Sequence, residues 1–169
     1  MRIGDRPEFA RKAAVMTFGA EEMVSVAVRA MSEKNFGAAV ITDSNSKPIG
    51  IVTERDFMRR LLDKGLDQKK TRLSDIMTTD LKLAKADDNL LDWLRQMSND
   101  RFRHLPVVDD NGKLIGLMSQ GDFVSYTWPE LITRVKEQAR ATFDLNPSIL
   151  TLIGVGIFAM FALLVFKAG

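Results

Sequence analysis

Residues 31–57 read MSEKNFGAAVITDSNSKPIGIVTERDF, and residues 97–123 read MSNDRFRHLPVVDDNGKLIGLMSQGDF. Laid over one another at an offset of 66, without a gap, they are identical at ten of 27 positions. Met31/Met97, Phe36/Phe102, Asp43/Asp109, Gly50/Gly116, Asp56/Asp122 and Phe57/Phe123 are among these. The apolar pattern extends the match upstream, where Val24 and Val28 fall on Leu90 and Leu94. Self-similarity at a fixed period marks a duplicated supersecondary unit. One unit of this size buries too little surface to stand alone, so two copies packed together make the natural domain.

Each copy reads the same way. A short extended stretch (about 13–18, and about 81–84) leads to an amphipathic helix, with Val24, Val28 and Met31 in one copy and Leu90, Leu94 and Met97 in the other at helical spacing. Asp87, Asp88 or Asn89 caps the second of these helices. Two short apolar strands follow around a turn: AAVI and IGIV around TDSNSKP, then LPVV and LIGLM around DDNGK. Asn111-Gly112 marks a hairpin. Another helix begins at Thr53 or Ser119. The order predicted is β-α-β-β-α, twice.

These residues resemble a known family. The element order and the signature Gly-apolar-apolar-Thr/Ser-x-x-Asp, here GIVTERD (50–56) and GLMSQGD (116–122), look like a tandem pair of cystathionine-β-synthase (CBS) domains, a Bateman module. RHLPVVDDNGKLIG (103–116) is a typical stretch of the second domain. The resemblance covers about residues 10–128. It implies an α/β fold of two repeats packed as a pseudo-twofold pair, the first within residues 1–66 and the second within 67–127.

The signature has its own chemistry. At a helix amino terminus the unsatisfied N–H groups and positive dipole end attract phosphate. A hydroxyl there donates to a phosphate or ribose oxygen, and a carboxylate one turn along accepts from the cis-diol of a ribose. The same Thr/Ser-x-x-acid spacing also describes a capping box, in which both side chains only satisfy the helix's own donors. Both readings stand on the residues alone.

The resemblance implies the first, because CBS pairs commonly hold adenosine nucleotides such as AMP or ATP, or S-adenosylmethionine, in clefts between the copies. It assigns ribose and phosphate contacts to Thr53 and Asp56 and to Ser119 and Asp122. Arg55 stands beside the phosphate position; its counterpart is Gly121, so the clefts need not be equivalent. Ala38 and Ala39, with His104, Leu105 and Pro106, match positions that line the family's adenine pocket. The family's Pro-Asp-x-Thr before the first helix is replaced by Ala20-Glu21-Glu22-Met23 and Ala86-Asp87-Asp88-Asn89, and Met23 donates no hydrogen bond.

Charge is partitioned along the chain. All 22 acidic residues and 23 of the 24 basic ones lie at or before Asp144, and only Lys167 follows. Residues 149–166, ILTLIGVGIFAMFALLVF, are uncharged. Counted from Leu145 the apolar segment 145–166 is about 33 Å long as a helix, enough for a hydrocarbon core of about 30 Å. It reads as one transmembrane helix, a tail anchor. Arg134, Lys136 and Arg140 before it place the amino-terminal domain on the cytoplasmic side, a bacterial inner membrane being the expected setting. The connector 128–144 reads as an amphipathic juxtamembrane helix, with Pro129 in its first turn and Leu131, Ile132, Val135 and Ala139 on one face.

Composition bounds the rest. The chain has 169 residues, a formal charge of +2, one histidine and no cysteine. Disulfides, thiolate metal sites and a cysteine nucleophile are excluded. No GxSxG, HExxH or Walker-A pattern occurs, so no catalytic residue and no metal site is expected. A nearly neutral chain without a basic aromatic stripe does not point to nucleic acid. Two functions fit. One is a membrane-tethered sensor of an adenosine ligand that reports to an integral membrane, transport or respiratory partner and pairs into a homodimer. The other is a ligand-free docking subunit of a membrane complex.

Overall fold

The computed structural model describes residues 1–10 and 14–143. The chain divides into two compact units, Met1–Tyr126 and Thr127–Gly169. Both repeats, as far as the first turns of the last helix, lie in the first. After a short helix α1 (Pro7–Ala10), the first repeat runs β1 (Thr17–Phe18), α2 (Val24–Lys34), β2 (Ala38–Thr42), β3 (Pro48–Thr53) and α3 (Glu54–Asp56). The last continues through Phe57–Leu62 in wide, π-type turns. A one-turn helix α4 (Leu73–Ile76) precedes the second repeat, which runs β4 (Ala84–Lys85), α5 (Leu90–Asp100), β5 (His104–Val108), β6 (Leu114–Ser119) and α6 (Gln120–Phe143). The β-α-β-β-α order is realised twice, as two three-stranded sheets.

The sheets repeat one another almost bond for bond. In the first, β1 pairs in parallel with β2, and β2 antiparallel with β3, Ala38 opposite Thr53 and a bulge between Ile41 and Thr42. In the second, β5 pairs with β6, His104 opposite Ser119 and a bulge between Val107 and Val108. One difference has a covalent cause. The Val40 amide donates to Met16 O at 3.0 Å, extending the parallel ladder backwards. Its counterpart Pro106 has no N–H, and β4 starts one residue later than its equivalent, at Ala84.

The turns carry the same symmetry. Asp43 Oδ1 accepts the amides of Asn45 and Lys47 at 2.9 and 2.8 Å, and Asp109 Oδ1 accepts those of Asn111 and Lys113 at the same distances. Each turn places one residue at positive φ, Ser46 at 62° and Gly112 at 78°. The Leu114 amide donates to Ser46 O at 3.0 Å and ties the second hairpin to the first.

Two cores sit under the two sheets. Val24, Met31, Ala39, Ile41 and Val52 fill the first, and their equivalents Leu90, Met97, Leu105, Val107 and Met118 the second. The segment leading into each repeat packs on the other repeat. Ile3 is buried in the second core, with its amide on Asp88 O, while the Leu90 amide donates to Met1 O. Leu73 and Ile76 are buried in the first core, and Thr78 and Ile51 exchange a pair of backbone bonds. The same linker caps α2, whose first amides donate to Thr71 O and Gln68 O. Those bonds do what Met23, without a capping side chain, does not. At α5 the expected cap is Asn89, accepting the Leu91 amide at 2.9 Å.

The connector does not begin a new helix at Pro129. Residues up to Phe143 continue α6, so Pro129 lies inside a helix of 24 residues. Ile132 and Val135, on the expected apolar face, are exposed. The predicted span 145–166 lies outside the described residues. Among the described residues, no helix is long and apolar enough to cross a membrane.

Candidate functional site

Hollows open on the first unit, and the two signature pairs stand on two of them. The first has a volume of about 630 Å³ and is lined by Thr53, Glu54, Arg55 and Asp56 of one repeat and by Arg101–His104 and Ser119–Gly121 of the other. The second, about 310 Å³, is lined by Asn35–Ala38 and Ala14–Met16 of the first repeat and by Ser119 and Asp122 of the second. The third, about 460 Å³, shares Ile51, Thr78, Phe102 and His104 with the first and continues it past Asp80, Leu81 and Lys82. At the offset of 66, those last three residues are the counterparts of Ala14, Val15 and Met16. The hollows therefore form two related clefts, one over Thr53 and Asp56, the other over Ser119 and Asp122. Both lie in the size range of small-molecule sites.

The signatures close on themselves. The Thr53 amide and hydroxyl donate to Asp56 Oδ2 at 2.9 and 2.7 Å, and the Asp56 amide donates to Thr53 Oγ1 at 3.4 Å. The Ser119 amide and hydroxyl donate to Asp122 Oδ2 at 2.6 and 2.7 Å, and the Asp122 amide returns to Ser119 Oγ at 3.3 Å. The capping box is thus formed in both copies. It occupies one carboxylate oxygen of each aspartate while both residues remain on the cleft walls. Asp56 Oδ1 lies 3.5 Å from Arg60 Nε. Arg60 in turn donates to Ile76 O and Met77 O, each at 2.8 Å, which fastens α3 to the linker packed on its repeat.

The other expected residues divide by strand geometry. Successive side chains of a strand point to opposite faces. Ala38 and His104, at the strand starts, line clefts, His104 touching all three hollows. Ala39 and Leu105, one residue on, have no exposed surface and belong to the cores. They line none of the three hollows. Pro106 returns to the cleft side, on the third hollow. Arg55 lines the first hollow.

Sequence reading missed Arg59, Arg60, Arg101, Arg103 and Phe102, all on the first hollow. The signal was present in two places: Arg55 and Arg59 are four apart, one helical turn, and Arg101-x-Arg103 opens the second hairpin. The π-type turns of Phe57–Leu62 carry Arg59 and Arg60, and wide turns of this kind often occur at functional sites.

Comparison with known proteins gives a consistent result. The family model described as CBS domain matches twice, at residues 8–63 and 73–128. An uncharacterised protein of Methanopyrus kandleri is 31% identical over 140 residues, 83% of this chain and 70% of its own length. Of two further curated relatives, each 36% identical, this chain spans 52% and 58%. A CBS-domain containing protein from Agrobacterium tumefaciens, known from its crystal structure, is 28% identical with a TM-score of 0.66; the match covers 74% of this chain and 98% of that one. A CBS domain pair crystallised in complex with 5′-methylthioadenosine and S-adenosyl-L-methionine is 21% identical with a TM-score of 0.64, covering 77% of this chain and 97% of that one, a likeness of fold.

Proposed function

The chain belongs to the CBS-domain family as a tandem pair, and from that membership we propose that it is a membrane-tethered regulatory module. It takes an adenosine-containing ligand in the clefts between its repeats and passes the occupancy to a membrane partner. The observation that carries this is the placement of Thr53/Asp56 and Ser119/Asp122 on the walls of two related open hollows. A pair of the same fold holds two adenosine compounds, which supports the ligand class. The uncharged segment 149–166 supports the tether, and the flanking basic residues support a cytoplasmic domain at a bacterial inner membrane. Apolar side chains left in solvent on the π-type turns, Met58 and Leu62, support pairing with a second copy. The module acts by binding and carries out no catalysis.

The completed capping boxes favour a second reading, a ligand-free docking subunit, because they give both signatures a purely structural use. Titration separates the two. The full chain, purified in mild detergent, is expected to melt at higher temperature in excess AMP, ATP or S-adenosylmethionine, as binding to the folded state alone requires. An unchanged melting temperature with all three, and no heat in calorimetry, leaves the docking reading. The tether is tested in cells. The whole chain should stay in the membrane pellet after alkaline washing, and a chain ending at Asp144 should not.

A further inference from the structure

The guanidinium groups of four arginines on the Thr53 cleft, Arg55, Arg59, Arg101 and Arg103, make no hydrogen bond or ion pair among the described residues. The acidic residues on the first hollow are Glu54 and Asp56, Asp56 being already engaged by Thr53 and Arg60, while Asp80 and Asp100 stand with Lys82 on its continuation, the third hollow. Guanidinium groups repel one another weakly across solvent, and an anion between them would turn that repulsion into attraction. They are also the side chains best shaped to grip phosphate oxygens two at a time.

The duplication makes the arrangement diagnostic. At the offset of 66, the counterparts of Arg55, Arg59, Arg101 and Arg103 are Gly121, Ser125, Asn35 and Gly37. Among the described residues, no lysine or arginine lines the Ser119 cleft. Two clefts of common origin therefore differ mainly in charge. Arg101 also ends α5 in the left-handed region, φ 58°, where Asn35 ends α2 at 55°. Asparagine tolerates that backbone conformation and arginine does not favour it. Arg101 thus stands on the cleft wall in a backbone conformation that its residue type disfavours.

We propose that the Thr53 cleft is a seat for a chain of two or three phosphates. Its ligand is then a nucleoside di- or triphosphate, in preference to a monophosphate or to S-adenosylmethionine, whose sulfonium the guanidinium groups repel. Arg101 and Arg103 select for phosphate number. The nucleoside half of this statement rests on the adenosine reading above; the phosphate half rests on the arginines.

The test is calorimetry on the full chain in mild detergent with ATP, AMP, adenosine, S-adenosylmethionine and inorganic tripolyphosphate. ATP is expected to bind at least about tenfold tighter than AMP, with the advantage shrinking as salt is raised. Tripolyphosphate should compete with ATP, and S-adenosylmethionine should bind more weakly than AMP. Arg101→Asn installs the residue that the first repeat already carries at this turn, so the melting temperature should hold or rise. It should nevertheless weaken ATP about tenfold and leave adenosine unchanged. Arg103→Gln should act in the same direction. Equal affinities for ATP and AMP, or undiminished ATP binding in both variants, overturn the phosphate seat and leave the adenosine reading standing. Binding of tripolyphosphate without binding of any adenosine compound overturns the adenosine reading and keeps the seat. Heat from none of the five overturns both.

Discussion

Thr53 gives both its amide and its hydroxyl proton to one oxygen of Asp56, at 2.9 and 2.7 Å. That single carboxylate oxygen closes the start of α3, while the residue itself stays on the cleft wall. The structural role and the proposed binding role therefore fall on one side chain, and they are separable. Asp56→Asn keeps an acceptor oxygen and loses the charge; Asp56→Ala loses both. The alanine variant should lose about 1 kcal/mol of stability, the ordinary cost of a removed cap, in urea unfolding. The asparagine variant should lose less than half of that. Both should weaken a ribose-bearing ligand. Equal stability losses in the two variants would show that the charge, and not the acceptor, holds the helix start.

The exchange of leading segments makes a second prediction. A Cβ at Gly116 would stand 2.6 Å from Cε2 of Phe9, whereas a Cβ at the equivalent Gly50 would meet Sδ, Cγ and Cβ of Met77, an unbranched side chain. Gly116→Ala should therefore destabilise by about 1–2 kcal/mol, an overpacking cost reduced by the smaller entropy of its unfolded chain. Gly50→Ala should cost less, because a thioether swings aside more readily than a ring. Adding Phe9→Ala should relieve most of the Gly116→Ala penalty in a double-mutant cycle. Strict additivity would mean that the amino-terminal segment does not lie on the second repeat in solution.

Much of this was legible in the chain, for a physical reason. The offset of 66 carries turn, bulge and core positions together, so Asp43/Asp109 and Met31/Met97 announce the sheets and helices of both repeats at once. Two things were not legible. Segment exchange leaves no trace in periodicity, because Ile3 and Leu73 look like any apolar residue, whichever core receives them. Nor does a one-dimensional pattern tell Ala38 from Ala39. The strand phase decides that one faces a cleft and the other a core, and it is fixed only when Ala38 pairs with Thr53. The arginines of the Thr53 cleft come from two segments some 45 residues apart, Arg55/Arg59 and Arg101/Arg103, which only the packed pair brings to one hollow.

Acid should act on the first hairpin turn in a defined direction. The Lys47 amide chiefly, and then the Asn45 amide, hold the Asp43 carboxyl below its ordinary value of 3.8. A carboxyl lowered on folding contributes stability that is complete above its unfolded value and lost as pH falls through the folded one. Asp43→Ala should therefore lower the melting temperature by a fixed amount from about pH 5 to 7, and the gap to the parent chain should narrow below about pH 3.8. A gap that widens on acidification would place the charged form of Asp43 in a destabilising role.

Equivalent phenylalanines should differ in cost. Phe123 has no exposed surface and sits in the second core. Its counterpart Phe57 is only partly buried against the first, where Leu61, one turn later, is fully taken in. The first core thus takes in Leu61 and only part of Phe57, whereas the second takes in Phe123 whole. Phe123→Ala should cost about 3–5 kcal/mol, enough to remove much of the stability of a domain this size. Phe57→Ala should cost about half as much, and Leu61→Ala about 2–4 kcal/mol. Urea unfolding of the three variants checks the order. If Phe57→Ala proved as costly as Phe123→Ala, the wide turns that set Leu61 into the core would have to be redrawn as a regular helix with Phe57 inside.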